Sequence, residues 1–315
     1  MDAKVIDRFR REWPKPIPQN GQVVEFLTKT YRRYCDEELA DREYSKQLAS
    51  GSPCVYQQRV AELLLAEALW SDGFSLTSED EGPDFLAKKG GETTWIELVT
   101  PEPTGIPEEF LHATGDGVWT LPHEQILLRW TAAIAEKARK LLGDPASGAR
   151  GYVENRVVKP ADRYVIAVND RLLVRWPDGM TGISQFPFPV EALFAVGPYA
   201  VTINRKTLKT VSAGHQKRLF VMNHNQAKVQ ANTFLDPEYA SVSAVLGITL
   251  REDVVLGRPH TNALVYNPLA TNPLPHKLLT SQEHWVCDVG PEEYTVHRLD
   301  DEPVRGDWIT QASEG

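Results

Sequence analysis

Three acids in consecutive segments of the chain are spaced for chemistry on a shared ion. Glu62 sits in the Leu- and Ala-rich stretch Val55 to Trp70, Asp84 follows a proline in Gly82-Pro83-Asp84-Phe85, and Glu97 stands inside Ile96-Glu97-Leu98-Val99. A carboxylate centred in so apolar a run is costly unless it meets a cation, hydrogen bonds or a metal. Strand alternation places Glu97 on the face of Trp95 and Val99, opposite Ile96 and Leu98. Glu97 therefore either pairs with a cation or points into a wet pocket. Asp84, at the mouth of the neighbouring strand, supplies a second oxygen ligand to the same ion. Hard divalent cations such as Mg²⁺ take such ligands, keep several waters and bind substrate phosphate. Two carboxylates, a water and a scissile phosphate are the parts of metal-assisted phosphodiester hydrolysis.

These acids need a frame to hold them. Residues 21–46 space Val24, Phe26, Leu27, Tyr31 and Leu39 among charges, as a surface helix or helical hairpin does. After Gly51-Ser52-Pro53 the stretch Val55 to Trp70 reads as a helix ending near Gly73. The aromatic and β-branched runs on either side of Lys88-Lys89-Gly90-Gly91 predict a hairpin. Residues 101–122, with several Pro and Gly, predict a long functional loop or insertion. His123 to Leu142 is a second helix, stopped by Gly143 and Pro145. Tyr164 to Val168 is a continuous apolar run of the kind found in strands buried on both faces.

The order is therefore helix, strand, strand, helix, strand. Glu62, then Gly82-Pro83-Asp84-Phe85, then Ile96-Glu97-Leu98-Val99 in that order resemble the PD-(D/E)XK nuclease superfamily, over roughly residues 50–170 of the 315. The resemblance implies an α/β (α+β) fold of restriction-endonuclease type, a mixed sheet flanked by helices. It implies Mg²⁺ or Mn²⁺ held by Asp84 and Glu97, with Glu62 orienting a water or second ion, and nucleic acid as substrate, DNA ahead of RNA. The family's lysine, two residues after the second acid, falls here on Val99. Some members of the superfamily carry the basic residue on the next helix. Arg129 and Lys137, eight apart with Ala133 between them, share one face of that helix, and Lys137 is the better candidate to stabilise the developing charge, with Arg129 second.

Composition sets the outer bounds. The chain is 42% apolar and 24% charged, enough for one large domain or two modest ones. The layout expected is an N-terminal helical region over 1–50, the nuclease-like core over 51–176, and a β-rich α/β region over 177–315, joined to the core or separate from it. The N-terminus has neither a secretory leader nor a membrane span, and the three cysteines fit reduced thiols in a cytoplasmic protein. Cys-rich zinc is excluded, and His284 with Cys287 lacks further ligands. A formal charge of −9 opposes non-specific coating of nucleic acid. Yet residues 205–218 hold Arg205, Lys206, Lys209, Lys217 and Arg218 and no acid, and Asn223 to Gln226 follow as a further polar run. That window reads as a solvated loop able to contact phosphate. Beyond it, Asp236-Pro237-Glu238 predicts a helix start before Tyr239 to Leu246, and strands are expected at Leu264 to Tyr266 and His284 to Cys287.

Two other readings stay open on the sequence. One is a catalytically silent nuclease-like fold that binds or assembles, alone or as a homo-oligomer, favoured by Val99 and the net charge. The other is a hydrolase of a different kind that uses its acids as general acid and base.

Overall fold

Val5 and Phe9, four residues apart and both buried, give the first helix, α1 (Asp2–Glu12), its inner stripe. In the computed structural model, which describes residues 2–15, 17–79, 81–112, 120–174, 180–291, 293–301 and 309–310, this stripe joins α2 (Asn20–Asp36) and α3 (Tyr44–Ser50) over α4 (Pro53–Ser71). Ser52 caps α4 by accepting from the Val55 amide, and Pro53 occupies its first turn.

A short strand β1 (Ser75–Thr77) leads to the hairpin of β2 (Phe85–Lys89) and β3 (Glu92–Val99). Its two-residue turn, Gly90-Gly91, has φ of 59° and 85°, which glycine adopts without penalty. The predicted 101–122 loop carries a one-turn helix, α5 (Glu108–His112), and its residues 113–119 lie outside the described residues. Then come α6 (His123–Leu142), with the bounds its sequence implies, and β4 (Arg163–Asn169), buried along nearly its whole length.

The chain beyond β4 returns to the same sheet. After α7 (Phe188–Phe194) come two hairpins, β5 (Val196–Ile203) with β6 (Thr210–Lys217) and β7 (Phe220–Met222) with β8 (Lys228–Gln230). The 205–218 window is therefore mostly a β-hairpin rather than a plain loop. The helix expected after Asp236 is corrected: Asp236 caps only a 3-10 turn, Pro237–Tyr239, and Ala244–Thr249 is strand β9. Its Ala-Val-Leu-Gly-Ile-Thr sequence is buried throughout, and helix propensity gives way to a slot between two strands. Strands β10 (Thr261–Tyr266), β11 (Glu283–Val289), β12 (Glu293–Arg298) and β13 (Ile309–Thr310) complete the sheet, so both strands expected near 264 and 284 are present.

Among the described residues nine strands form one mixed sheet in the order β1-β2-β3-β4-β9-β10-β11-β12-β13. The protein is thus a mixed α/β fold. At the centre β3, β4 and β9 run parallel, with antiparallel strands on either side. Ile96, Leu98, Val165, Ala167, Leu246 and Ile248 pack on the layer of α1 to α4, while Trp95, Tyr164, Ile166 and Val168 face α6 and α7. The boundary expected near residue 176 lies outside the described residues, but β9 to β13 on its far side pair into the sheet begun by β1 to β4. Among the described residues no helix is long and apolar enough to cross a membrane.

Candidate functional site

The β2–β3 register brings the two motif acids together. Phe85 pairs with Ile96, so Asp84, one step before β2, stands opposite Glu97, where Cβ atoms on such a ladder lie about 5 Å apart. Asp84 Oδ2 accepts from the Leu98 amide at 2.6 Å, which pins the carboxylate to the start of the hairpin. Its other oxygen receives no hydrogen bond among the described residues.

Glu97 meets cations. Alternation turns it toward α6, as expected, and there Lys137 Nζ lies 2.9 Å and Lys140 Nζ 3.1 Å from Glu97 Oε1. Tyr152 donates its hydroxyl to Glu97 Oε2 at 3.4 Å. Glu97 and Lys137 are buried, whereas 45% of the Lys140 side chain is exposed. Lys140 thus links the buried acid to solvent. Burial alone would lower its pKa, but the Glu97 carboxylate beside it raises it above the ordinary lysine range.

Glu62 reaches the site from α4, on the opposite face of the sheet. Its two oxygens each accept from Arg59 Nη1 at 3.0 Å, one turn earlier in the same helix. Arg59 is held in turn by Gln47 Oε1 at 2.7 Å. Burial, reinforced by the Asp84 charge, pushes the Glu62 carboxyl up to about 8. Burial and the nearby Glu97 push Asp84 up to about 6, although the Leu98 amide and the two lysines oppose the shift.

Glu62, Asp84, Arg129, Lys137 and Lys140 border one cleft of about 520 Å³, with Thr100 at the end of β3. Arg129 makes no hydrogen bond to either acid, and its Nε is buried without a partner among the described residues. A second cleft, sharing Thr104, Arg129 and Ala132 with the first, continues past Gln125 to the turn that joins β7 and β8. Among the described residues no three His, Cys, Asp or Glu side chains converge as a metal cage. Asp84 borders the cleft directly, whereas the Glu97 carboxylate lies behind its wall against Lys137 and Lys140; a hard divalent ion there would take carboxylate oxygens and complete its shell with water.

Of the five residues singled out in the sequence, Glu62, Asp84, Arg129 and Lys137 line the cleft, and Glu97 lies just behind it beside Asp84 and Lys137. Sequence reasoning passed over Lys140, Tyr152 and Arg59. Lys140 was accessible as the i+3 neighbour of Lys137 and Arg59 as the i−3 neighbour of Glu62, but Tyr152 follows the helix in an irregular segment with no periodicity to mark it. His284 and Cys287 form no metal pair: His284 Nδ1 is hydrogen-bonded to the Tyr266 hydroxyl at 2.9 Å, and Cys287 is buried on the other face of β11. Compared with known proteins, the chain matches no family model, no curated protein and no solved structure.

Proposed function

We propose that this protein is a metal-dependent nuclease of PD-(D/E)XK type, with a restriction-endonuclease-like core, hydrolysing phosphodiesters of DNA in preference to RNA. The observation that carries the reading is the meeting, in one place, of Asp84, Glu97 and a lysine from the next helix, Lys137, where the motif itself has Val99. Asp84 and Glu97 would hold Mg²⁺ or Mn²⁺, and the ion would supply Lewis-acid stabilisation and an acidified water. The raised pKa of Asp84 and of Glu62 fits such an ion, because a divalent charge offsets the burial, and then the neighbouring carboxylate, that keep protons on them. Lys137 and Lys140 hold Glu97 and border the cleft, so either ammonium can turn toward a phosphate oxygen and offset the charge that develops in phosphoryl transfer. Glu62, gripped by Arg59, orients a water at the far wall.

The test is cleavage of supercoiled, linear and single-stranded substrates with Mg²⁺ or Mn²⁺, using the parent protein and the Asp84→Asn and Lys137→Ala variants. Cleavage by the parent and its loss in both variants is expected; cleavage retained in Asp84→Asn excludes the reading.

One observation favours a second reading. Glu97 is almost fully buried and already neutralised by two lysines, as it would be in a fold that keeps the nuclease frame to bind rather than cut. Under that reading neither Mg²⁺ nor Mn²⁺ raises the melting temperature of the parent, and no substrate is cut.

A further inference from the structure

The β5–β6 hairpin meets α7 and β13 along its length, and its outer half is open to solvent. Residues 201–213 are all exposed, and on one face Val201 and Ile203 follow Tyr199, which rests edge-on against the His215 ring. Its tip is built, not slack. The Asn204 amide donates to Lys209 O at 2.9 Å, the Leu208 amide donates to Asn204 O at 2.8 Å, and Asn204 Oδ1 accepts from the amides of Lys206 and Thr207. This turn holds Leu208 at φ 55°, in the left-handed region, with 80% of the residue exposed. Its side chain, free of contacts on the body, is presented outward by the turn.

The charge around it narrows what such a tip can meet. Arg205, Lys206 and Lys209 surround Leu208, and none is ion-paired among the described residues. The two cations at the base are engaged: Arg218 Nη2 donates to Glu124 Oε1 at 2.5 Å and Lys217 lies over the Tyr294 ring. A twofold contact between two such tips would set three cations against their copies, so self-association is disfavoured. A polyanion is favoured. Among nucleic-acid binders, apolar side chains flanked by Lys and Arg enter the minor groove and wedge open a base step.

The base of the hairpin is tied to the helix of the site. Arg218 fastens it to Glu124 in the first turn of α6, the helix that carries Lys137 and Lys140. Thirteen residues of helix, about 20 Å at 1.5 Å per residue, separate that anchor from Lys137.

We propose that the β5–β6 hairpin is a duplex-gripping arm, with Arg205, Lys206 and Lys209 on phosphates and Leu208 as a wedge in the minor groove. It rests on the proposed nuclease reading for the identity of the polymer and for the place of the cut, but its grip is measured without cleavage.

The experiment uses the full chain in EDTA and a labelled duplex, with affinity followed across salt concentrations and bending followed by energy transfer between the duplex ends. Arg205→Ala/Lys206→Ala/Lys209→Ala should reduce the slope of log affinity against log salt by about three. Leu208→Ala should keep the slope, lower affinity several-fold and abolish the bend. All four positions are exposed, so melting temperatures should match the parent. The proposal is overturned by a parent that binds no duplex, by an unchanged salt slope in the triple variant, or by unchanged affinity and bend in Leu208→Ala. It is equally overturned if the triple variant changes sedimentation from dimer to monomer with no effect on DNA affinity. Arm-dependent binding by a parent that cuts nothing in Mg²⁺ or Mn²⁺ removes the nuclease reading and leaves the arm standing; cleavage with arm-independent binding does the reverse.

Discussion

Lys137 Nζ lies 2.9 Å from Glu97 Oε1 across 40 residues of sequence, and the pair joins α6 to β3 in the middle of the candidate site. Because Lys140 shares the same oxygen, Glu97 keeps a counter-charge when either lysine is removed. Lys137→Met should therefore cost about 1–3 kcal/mol, below the full penalty of an orphaned buried charge. Lys140→Met, acting at a half-exposed side chain, should cost about 0–1 kcal/mol. Urea unfolding of both variants measures the difference, and equal losses would contradict the unequal burial on which it rests.

The two motif acids should respond oppositely to neutralisation. Asp84→Asn keeps an oxygen for the Leu98 amide and removes a charge that burial and Glu97 disfavour, so without metal it should be neutral or stabilising. Glu97→Gln leaves Lys137 buried without its anion and should destabilise by about 2–4 kcal/mol. Under the proposed function both also blunt the rise in melting temperature that Mg²⁺ or Mn²⁺ gives the parent. Thermal unfolding with and without Mg²⁺ reads both effects.

Stability in the presence of a chelator should fall as pH rises through the neutral range. Burial raises the carboxyl of Glu62 to about 8 and that of Asp170, which accepts from Thr249 and leaves Oδ2 unpartnered, to about 7. Unfolded carboxyls titrate near 4. Between these values the folded chain binds more protons than the unfolded one, so the stabilisation present at low pH is lost as pH passes the folded values. Glu62→Gln and Asp170→Asn should each flatten the profile and exceed the parent's stability above about pH 8, by on the order of 1–3 kcal/mol. A parent melting temperature that climbs steadily from about pH 5 to 8 would refute the raised values.

Gly247 tests the fit of α6 and α7 against the sheet centre. A Cβ there would lie 2.8 Å from Pro189 Cγ and 2.9 Å from Trp130 Cη2, both in packed surroundings. Gly247→Ala should cost about 1–3 kcal/mol by overpacking. Gly21→Ala, where a Cβ meets nothing within 4 Å inside α2, should instead stabilise by about 0.5–1 kcal/mol. Guanidinium unfolding midpoints for the two variants should move in opposite directions.

What the sequence by itself determined was local and periodic. The bounds of α6, the Gly90-Gly91 hairpin, the two-faced burial of β4 and the side of β3 that carries Glu97 follow from 3.6- and 2-residue repeats and from turn chemistry, which act over a few residues. The order of the acids was legible for the same reason, but helix spacing put Arg129 and Lys137 on one face and only the fold brought Lys137 rather than Arg129 into contact with Glu97. Tertiary structure decided the rest. Ala244 to Thr249 became a strand because the edge of β4 offers it hydrogen bonds that outweigh helix propensity, and the chain after residue 180 extended the first sheet because unpaired strand edges seek partners at any sequence distance. Tyr152 came to Glu97 across 55 residues, through a tertiary contact that no local pattern encodes.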